Sequence, residues 1–288
     1  APAATAPFAL PADGGTYLIL GGTGGIGASV AAWLLEHSEG RVLLLARRPE
    51  LPADLVPWAD RVELIEADLA GAAPEEIMAR LDGLAPARRI DGVVHAAGTG
   101  AGSLIARRDA AAMRRAMAAK TRGALLVERL IERHRPVFAA YCSSMAAQFG
   151  GVGQLDYAAA GGLLDGFARH RAGEAETTVR IGVDWDIWSE VGMARDALRS
   201  DPRHQAHLTV GLAVKEGQRL FAQALQLQLP QLLVSTTDIE RARGFYAPDA
   251  GAPRGGTPSG AVVRDAAPAH SPAPPQASSP ASAPAPAS

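Results

Sequence analysis

Apolar positions follow two different rhythms along the chain. Tyr17 to Leu20 are apolar without interruption and run into the glycine-rich stretch 21–27, after which Ile26, Val30, Trp33 and Leu34 share one side of the segment ending at His37. That change of period predicts strand, tight turn and helix. Short, mostly apolar segments at 41–46, 62–67, 90–95, 137–142, 179–185 and 232–234 read as further strands. Helical spacing fills the intervals at 74–81, 109–134 and 157–170, the second with Met113, Met117, Leu125, Leu126, Leu130 and Ile131 on its apolar side. Strands alternating with helices predict an α/β fold: a doubly wound parallel sheet of Rossmann type, helices on both faces, ligands at the carboxyl ends of the strands.

The rhythm fades at both ends. Residues 1–13 are rich in Ala and Pro and read as a linker, 14–247 as one domain, and 248–288, dominated by Pro, Ala, Ser and Gly, as a disordered linker. Within the domain, the polar helical region from about 190 to 227 stands where a lid over substrate is expected. The chain's 288 residues carry 28 basic and 30 acidic side chains with the arginines scattered, so no basic face for nucleic acid or acidic lipid is expected. Cys142, the single cysteine, lies in an apolar strand and reads as core, which suits a reducing cytoplasmic location. No apolar run reaches the ~20 residues that cross a bilayer, and no metal site is expected. A chain starting at Ala1 is expected to be a piece of a longer one.

Chemistry-bearing residues cluster at the predicted strand ends. Gly22, Gly24 and Gly27 satisfy G-x-G-x-x-G between the first strand and its helix, which makes Gly21, Gly22, Thr23, Gly24, Gly25, Ile26 and Gly27 a candidate dinucleotide-binding turn. The second strand ends in Arg47 and Arg48, where an NAD site has an acidic residue for the ribose hydroxyl. Arginine there suits a 2′-phosphate and predicts NADPH, with Arg47 first of the two; the same pair would also simply solvate a strand end. Asp68, after the third strand, is either an adenine contact or a cap or turn residue. Ala96, Ala97 and Gly98 after the fourth strand let a cofactor lie against the backbone, while His95, with no evident carboxylate partner, reads as structural. Ser143 and Ser144 close the fifth strand, and thirteen residues after Ser144 Tyr157 opens a helix, which puts two hydroxyls at one sheet edge, a place for carbonyl chemistry. Lys120 falls beside the apolar side of the long helix; what it faces decides between a surface lysine and a site residue.

Taken together, residues 15–27, 43–48, 93–98, 120–123, Ser143 through Gln154 to 157–160, and 184–193 resemble the catalytic half of a ketoreductase domain from a modular polyketide synthase, within the short-chain dehydrogenase/reductase superfamily. The position of Lys120 upstream of the Ser-Tyr segment separates this resemblance from the free-standing reductases of that superfamily. It implies NADPH-dependent reduction of a β-ketoacyl thioester, carried on an acyl carrier protein, to the β-hydroxyacyl thioester during chain extension. In that scheme Tyr157 is the general acid, Ser144 a hydrogen-bond donor to the carbonyl oxygen, and Lys120 the ammonium that favours the phenolate. The resemblance adds Leu69 to the cofactor contacts and Phe149, Gln154 and Met193 to the substrate pocket. The partners implied are the carrier domain, neighbouring synthase domains, and a noncatalytic ketoreductase half that this chain lacks.

Three departures from that family surround the site. Gly161 stands four residues after Tyr157, where the family has asparagine, and position i+4 shares the face of Tyr157. Glycine there is expected to leave open space, which either a water fills or which silences reduction, leaving a structural module or an epimerase. Residues 99–103 lack the Leu-Asp-Asp of one stereochemical class, while Phe149 stands where the opposite class has tryptophan and Gln154 fits that class's non-epimerising form. Leu20 replaces a threonine ahead of the glycine turn.

Overall fold

The computed structural model describes residues 7–84, 89–99, 104–107, 109–170, 177–193, 195, 202–246 and 261–262. Strands β1 (Thr16–Leu20), β2 (Arg41–Ala46), β3 (Val62–Glu66), β4 (Gly92–His95), β5 (Phe138–Ser144), β6 (Val179–Trp185), β7 (Gln231–Val234) and β8 (Ala261–Val262) form one sheet in the order β3-β2-β1-β4-β5-β6-β7-β8. Every pairing is parallel. The doubly wound parallel sheet read from the alternation of strand and helix is the observed fold. Of the expected tail 248–288, only the two residues of β8 lie within the described residues, and they pair with β7.

Alternate side chains of each strand point to opposite faces, and both faces are buried. Tyr17, Ile19, Val42, Leu44 and Phe138 pack with α1 (Gly25–His37) and α7 (Val214–Leu227). Leu18, Leu20, Leu43, Leu45 and Ala139 pack with α2 (Pro74–Leu84), α3 (Ala110–His134) and α5 (Leu155–Arg169). Three short helices, α4 (Ala146–Phe149), α6 (Pro202–Thr209) and α8 (Ile239–Tyr246), follow the carboxyl ends of β5, β6 and β7. Among the described residues no helix is long and apolar enough to cross a membrane.

Two segments differ from the expectation. Region 190–227 divides: residues 214–227 form α7 and belong to the helical layer, with Phe221 edge-on to Trp33 at 5.6 Å, because Phe221 and Leu225 fall on the side that meets the sheet. Residues 7–13 are more than a linker, since the Phe8 ring meets Phe138 edge-on at 5.8 Å and its carbonyl accepts a hydrogen bond from Gln226 at 2.9 Å.

The element that carries Lys120 is held by a close crossing. Asp109 caps α3 through the Ala112 N–H at 2.6 Å, and the helix passes over the end of β4, where the fully buried His95 donates from Nε2 to the Lys120 carbonyl at 3.0 Å. Burial keeps that ring neutral, with its acidity moved to about 4. His95 is thus a packing group, and glycine at 123 is what admits it: a Cβ there would stand 2.3 Å from His95 Nε2. Gly123→Ala is therefore expected to lower stability by roughly 1–3 kcal/mol through overpacking. Gly162→Ala, where a Cβ meets nothing within 4 Å, is expected to raise it by up to about 1 kcal/mol through helix propensity. Urea unfolding of the two variants checks both, and equal midpoints would sink the crossing argument.

Candidate active site

The crevice between the carboxyl ends of β1 and β4 is where the chain reverses the direction in which it winds, the usual ligand position in such sheets. Gly21 leaves β1 at φ +77°, a left-handed conformation that favours glycine, and any Cβ there would lie 2.7 Å from the Ala97 backbone. The turn thus lies directly against residues 96–97, and α1 begins at Gly25 with its first N–H groups facing the crevice. A cleft of about 350 Å³ results. Of the residues expected at a dinucleotide, Gly21, Thr23, Gly24, Gly25, Ile26, Gly27, Arg47, Arg48, Asp68, Leu69, Ala96, Ala97 and Gly98 line it, together with Met193 from the expected substrate set.

Gly22 does not line the cleft; it faces the sheet, and a Cβ there would meet the Leu44 side chain at 2.7 Å. Asp68 accepts from the Ala70 N–H at 3.0 Å, so it closes a turn at the rim while also bordering the cleft. Thr99, Ala119 and Gly192 line the cleft as well, and none of them was expected at the cofactor or the substrate. They are small and come from three different segments, and spacing along the chain carries no signal for such wall residues. Exposed Arg47 and Arg48 stand at one end of the cleft. At the other, a Cβ at Gly98 would meet Lys120 Cε at 3.3 Å and Met193 Cε at 3.6 Å.

Lys120, Tyr157 and Ser144 come from α3, α5 and β5. The Lys120 Nζ lies 4.4 Å from the centroid of the Tyr157 ring. It is buried without a hydrogen-bond partner. An orphaned ammonium next to a cleft lined with glycine is an atom that a ligand's hydroxyl groups would satisfy, so the residues fit a nucleotide cofactor. Ser144 ends β5 and accepts from the Ala146 N–H at 3.2 Å, which orients its oxygen at the sheet edge. Phe149 ends α4 with its ring 6.1 Å from that of Tyr246, and the Gln154 side chain folds back over Gly151 ahead of α5. Cys142 is buried, which pushes its thiol up to about 11 and makes it a core residue rather than a nucleophile.

Gly161 does not leave the open space expected of it. The position its Cβ would take lies 2.9 Å from the Ala147 Cβ and 3.1 Å from Ser143 Oγ, so a side chain there would press on both neighbours. Behind it, Asp165 and Asp184 form a buried pair. The Gln148 amide donates to Oδ2 of both, at 3.0 and 3.1 Å, and the Gln231 amide donates to Asp184 Oδ2 at 2.8 Å. Burial, and next the charge of Asp165, push Asp184 up to about 7; burial also raises Asp165, opposed by the Ser143 hydroxyl, Arg169 and Lys120. The pair therefore shares a proton near neutral pH. A further carboxylate, Asp186, joins His207, Ser235 and Tyr246 just past β6. Sequence spacing could not find that group, because its members lie up to sixty residues apart.

The KR domain family model matches residues 15–190, more than half of the chain. The chain is 31% identical over 253 residues to erythronolide synthase EryA3 of Saccharopolyspora erythraea, covering 84% of this chain and 8% of that protein. It is 32% identical over 211 residues to 6-methylsalicylic acid synthase of Penicillium patulum, covering 67% of this chain and 12% of that one. The chain thus spans only a small part of the curated relatives it matches. Among solved structures, A-type ketoreductases from a modular polyketide synthase superpose with a TM-score of 0.71 at 29% identity, over 86% of this chain and 53% of theirs.

The shared proton sets a pH dependence. In the unfolded chain Asp184 would ionise near 4, whereas the folded state holds the proton to about 7. The folded state then binds more protons between those values, so the pair's contribution to stability is present in full below about 4 and is lost as pH rises through about 7. Thermal unfolding is expected to show a melting temperature that falls from about pH 5 to about pH 8, and a shallower fall in Asp184→Asn. Parallel slopes in the two proteins would remove the pair from this account.

Proposed function

The chain belongs to the KR domain family, the ketoreductase domains of polyketide synthases, and from that premise we propose that it uses NADPH to reduce a β-ketoacyl thioester on an acyl carrier protein. The observation that carries the reading is the Lys120 ammonium held 4.4 Å from the Tyr157 ring, with its Cε beside Gly98 of the glycine-walled cleft. A nicotinamide cofactor is implied by the fold, and Arg47 and Arg48 at the cleft's end support the phosphorylated form through a 2′-phosphate.

When bound, the cofactor supplies a hydride to the ketone carbon. Tyr157 gives its proton to the oxygen as charge builds there, and Ser144 donates a hydrogen bond to the same atom. Lys120 stands 4.4 Å from the Tyr157 ring, where its ammonium favours the phenolate left after the proton departs. Gly21, residues 23–27, Asp68, Leu69 and residues 96–98, which line the cleft, would hold the cofactor against the backbone. Phe149, Gln154 and Met193 bound the acyl chain. Carrier domain, neighbouring synthase domains and a noncatalytic half from the same synthase complete the assembly, a reading supported by the chain matching 53% of its solved relative and 8% of EryA3.

Gly161 is compatible with this chemistry because Ala147 and Ser143 close around it. NADPH consumption with a β-ketoacyl thioester surrogate tests the proposal. The chain is expected to turn over with NADPH ahead of NADH, and Tyr157→Phe to fall by roughly 10²–10⁴-fold. Gly161→Asn is expected to lose stability without gaining rate, since its Cβ has no room. Turnover by Gly161→Asn alone would instead identify a silenced reductase kept as a structural or epimerising module.

A further inference from the structure

A second phenol stands at the site, from a segment far along the chain. Tyr246, the last residue of α8, has its hydroxyl 2.9 Å from Asp186 Oδ1 and its ring 6.1 Å from Phe149. Ser144 and Tyr157 are both near enough to act on its ionisation. Asp186 is 4% exposed and takes three other donors: Ile187 N–H at 2.8 Å, His207 Nε2 at 2.6 Å and Ser235 Oγ at 2.5 Å. Its carboxylate is therefore well satisfied even without the phenol, so the Tyr246 hydroxyl can leave it without stranding a buried charge. His207 in turn is wedged between the Phe245 ring, stacked at 4.3 Å, and the Tyr246 ring, edge-on at 5.2 Å. The ring of Tyr246 is thus fixed on two sides, with its hydroxyl donating to Asp186 Oδ1.

The environments of the two phenols are opposite in sign. Tyr157 has the Lys120 ammonium over its ring. Tyr246 has a carboxylate at its hydroxyl, and burial first, then the Asp186 charge, push its pKa well above the usual phenol range, with Ser144 opposing. A phenol beside a carboxylate is suited to keep its proton while donating a hydrogen bond, which gives Tyr246 a donor role distinct from that of Tyr157.

We propose that Tyr246 is a further catalytic residue of the reduction, donating its phenol hydrogen to the substrate carbonyl oxygen alongside Ser144, with Asp186 and His207 as positioning residues. The proposal rests on the reductase reading above. It gives the site three hydroxyl donors at one oxygen: Tyr157, which transfers its proton, and Ser144 and Tyr246, which keep theirs. No bond of Tyr246 breaks, and its hydrogen returns to Asp186 Oδ1 when the alcohol leaves.

Tyr246→Phe tests it, because phenylalanine keeps the ring contacts to Phe149 and His207 and removes only the hydroxyl. In NADPH consumption with the thioester surrogate, kcat is expected to fall by roughly ten- to a hundredfold, within the range for loss of one oxyanion donor, with KM and NADPH affinity unchanged. A second readout needs no turnover: the infrared stretch of the labelled ketone in the surrogate's complex with chain and NADP⁺, where no hydride is available. The stretch is expected at lower frequency in the unaltered chain than in Tyr246→Phe. Unchanged kcat and an unchanged stretch would overturn the proposal while leaving the reductase reading intact. A rise in kcat would mark Tyr246 as a ring obstructing the site, and also overturn it. A chain that never reduces but shows the difference in stretch would refute the reductase reading and retain Tyr246 as the donor to the bound ketone.

Discussion

Everything at the site depends on one topological constraint: β1 lies between β2 and β4, and the chain leaves these neighbours in opposite directions. No crossover helix can cover both carboxyl ends, so the crevice between them stays open in a fold otherwise closed on both faces. The glycine turn and residues 96–98 approach one another across it, to the point where a single Cβ at Gly21 would collide with Ala97. Most of the residues that line the cleft then come from the half of the sheet that holds β1 to β4. The hydroxyl and ammonium groups come from β5, α5 and α3, which the same winding places beside that crevice.

Asp165, Asp184 and Asp186 are buried close behind the site, and their states differ because their donors differ. Asp165 and Asp184 share the amide of Gln148, with only Gln231 added at Asp184, so burial wins and the pair keeps a proton. Asp186, two residues further, also suffers burial, but hydrogen bonds from His207, Ser235 and the Ile187 N–H outweigh it and hold the carboxyl below its usual range. Asp184 and Asp186 thus lie at the same strand end with acidities shifted in opposite directions, and Asp186 is the one whose charge faces a phenol.

Gly161 illustrates how a local departure is absorbed. A missing side chain in a packed interior either leaves a cavity or draws its neighbours in. Here Ala147 from α4 and Ser143 from β5 have closed on the helix, so the glycine is part of a tight contact. The same economy holds at Gly123, where the absent side chain is what lets His95 reach the Lys120 carbonyl and set the height of α3 above β4.

The sequence by itself determined the architecture: strand and helix periods located every main element of the sheet within a few residues, because burial on both faces leaves a continuous apolar record in each strand. It also drew attention to the glycine turn, Arg47, Ser144 and Tyr157, because each stands at or just after a predicted strand end or opens a predicted helix. The place of Lys120 over the Tyr157 ring, the closure around Gly161, the departure of Gly22 from the cleft wall and the role of 214–227 as a helical layer were decided only in three dimensions. So was the meeting of Asp186, His207 and Tyr246. Each depends on contacts between segments distant along the chain, and periodicity records only which face of its own element a residue occupies, never what stands opposite.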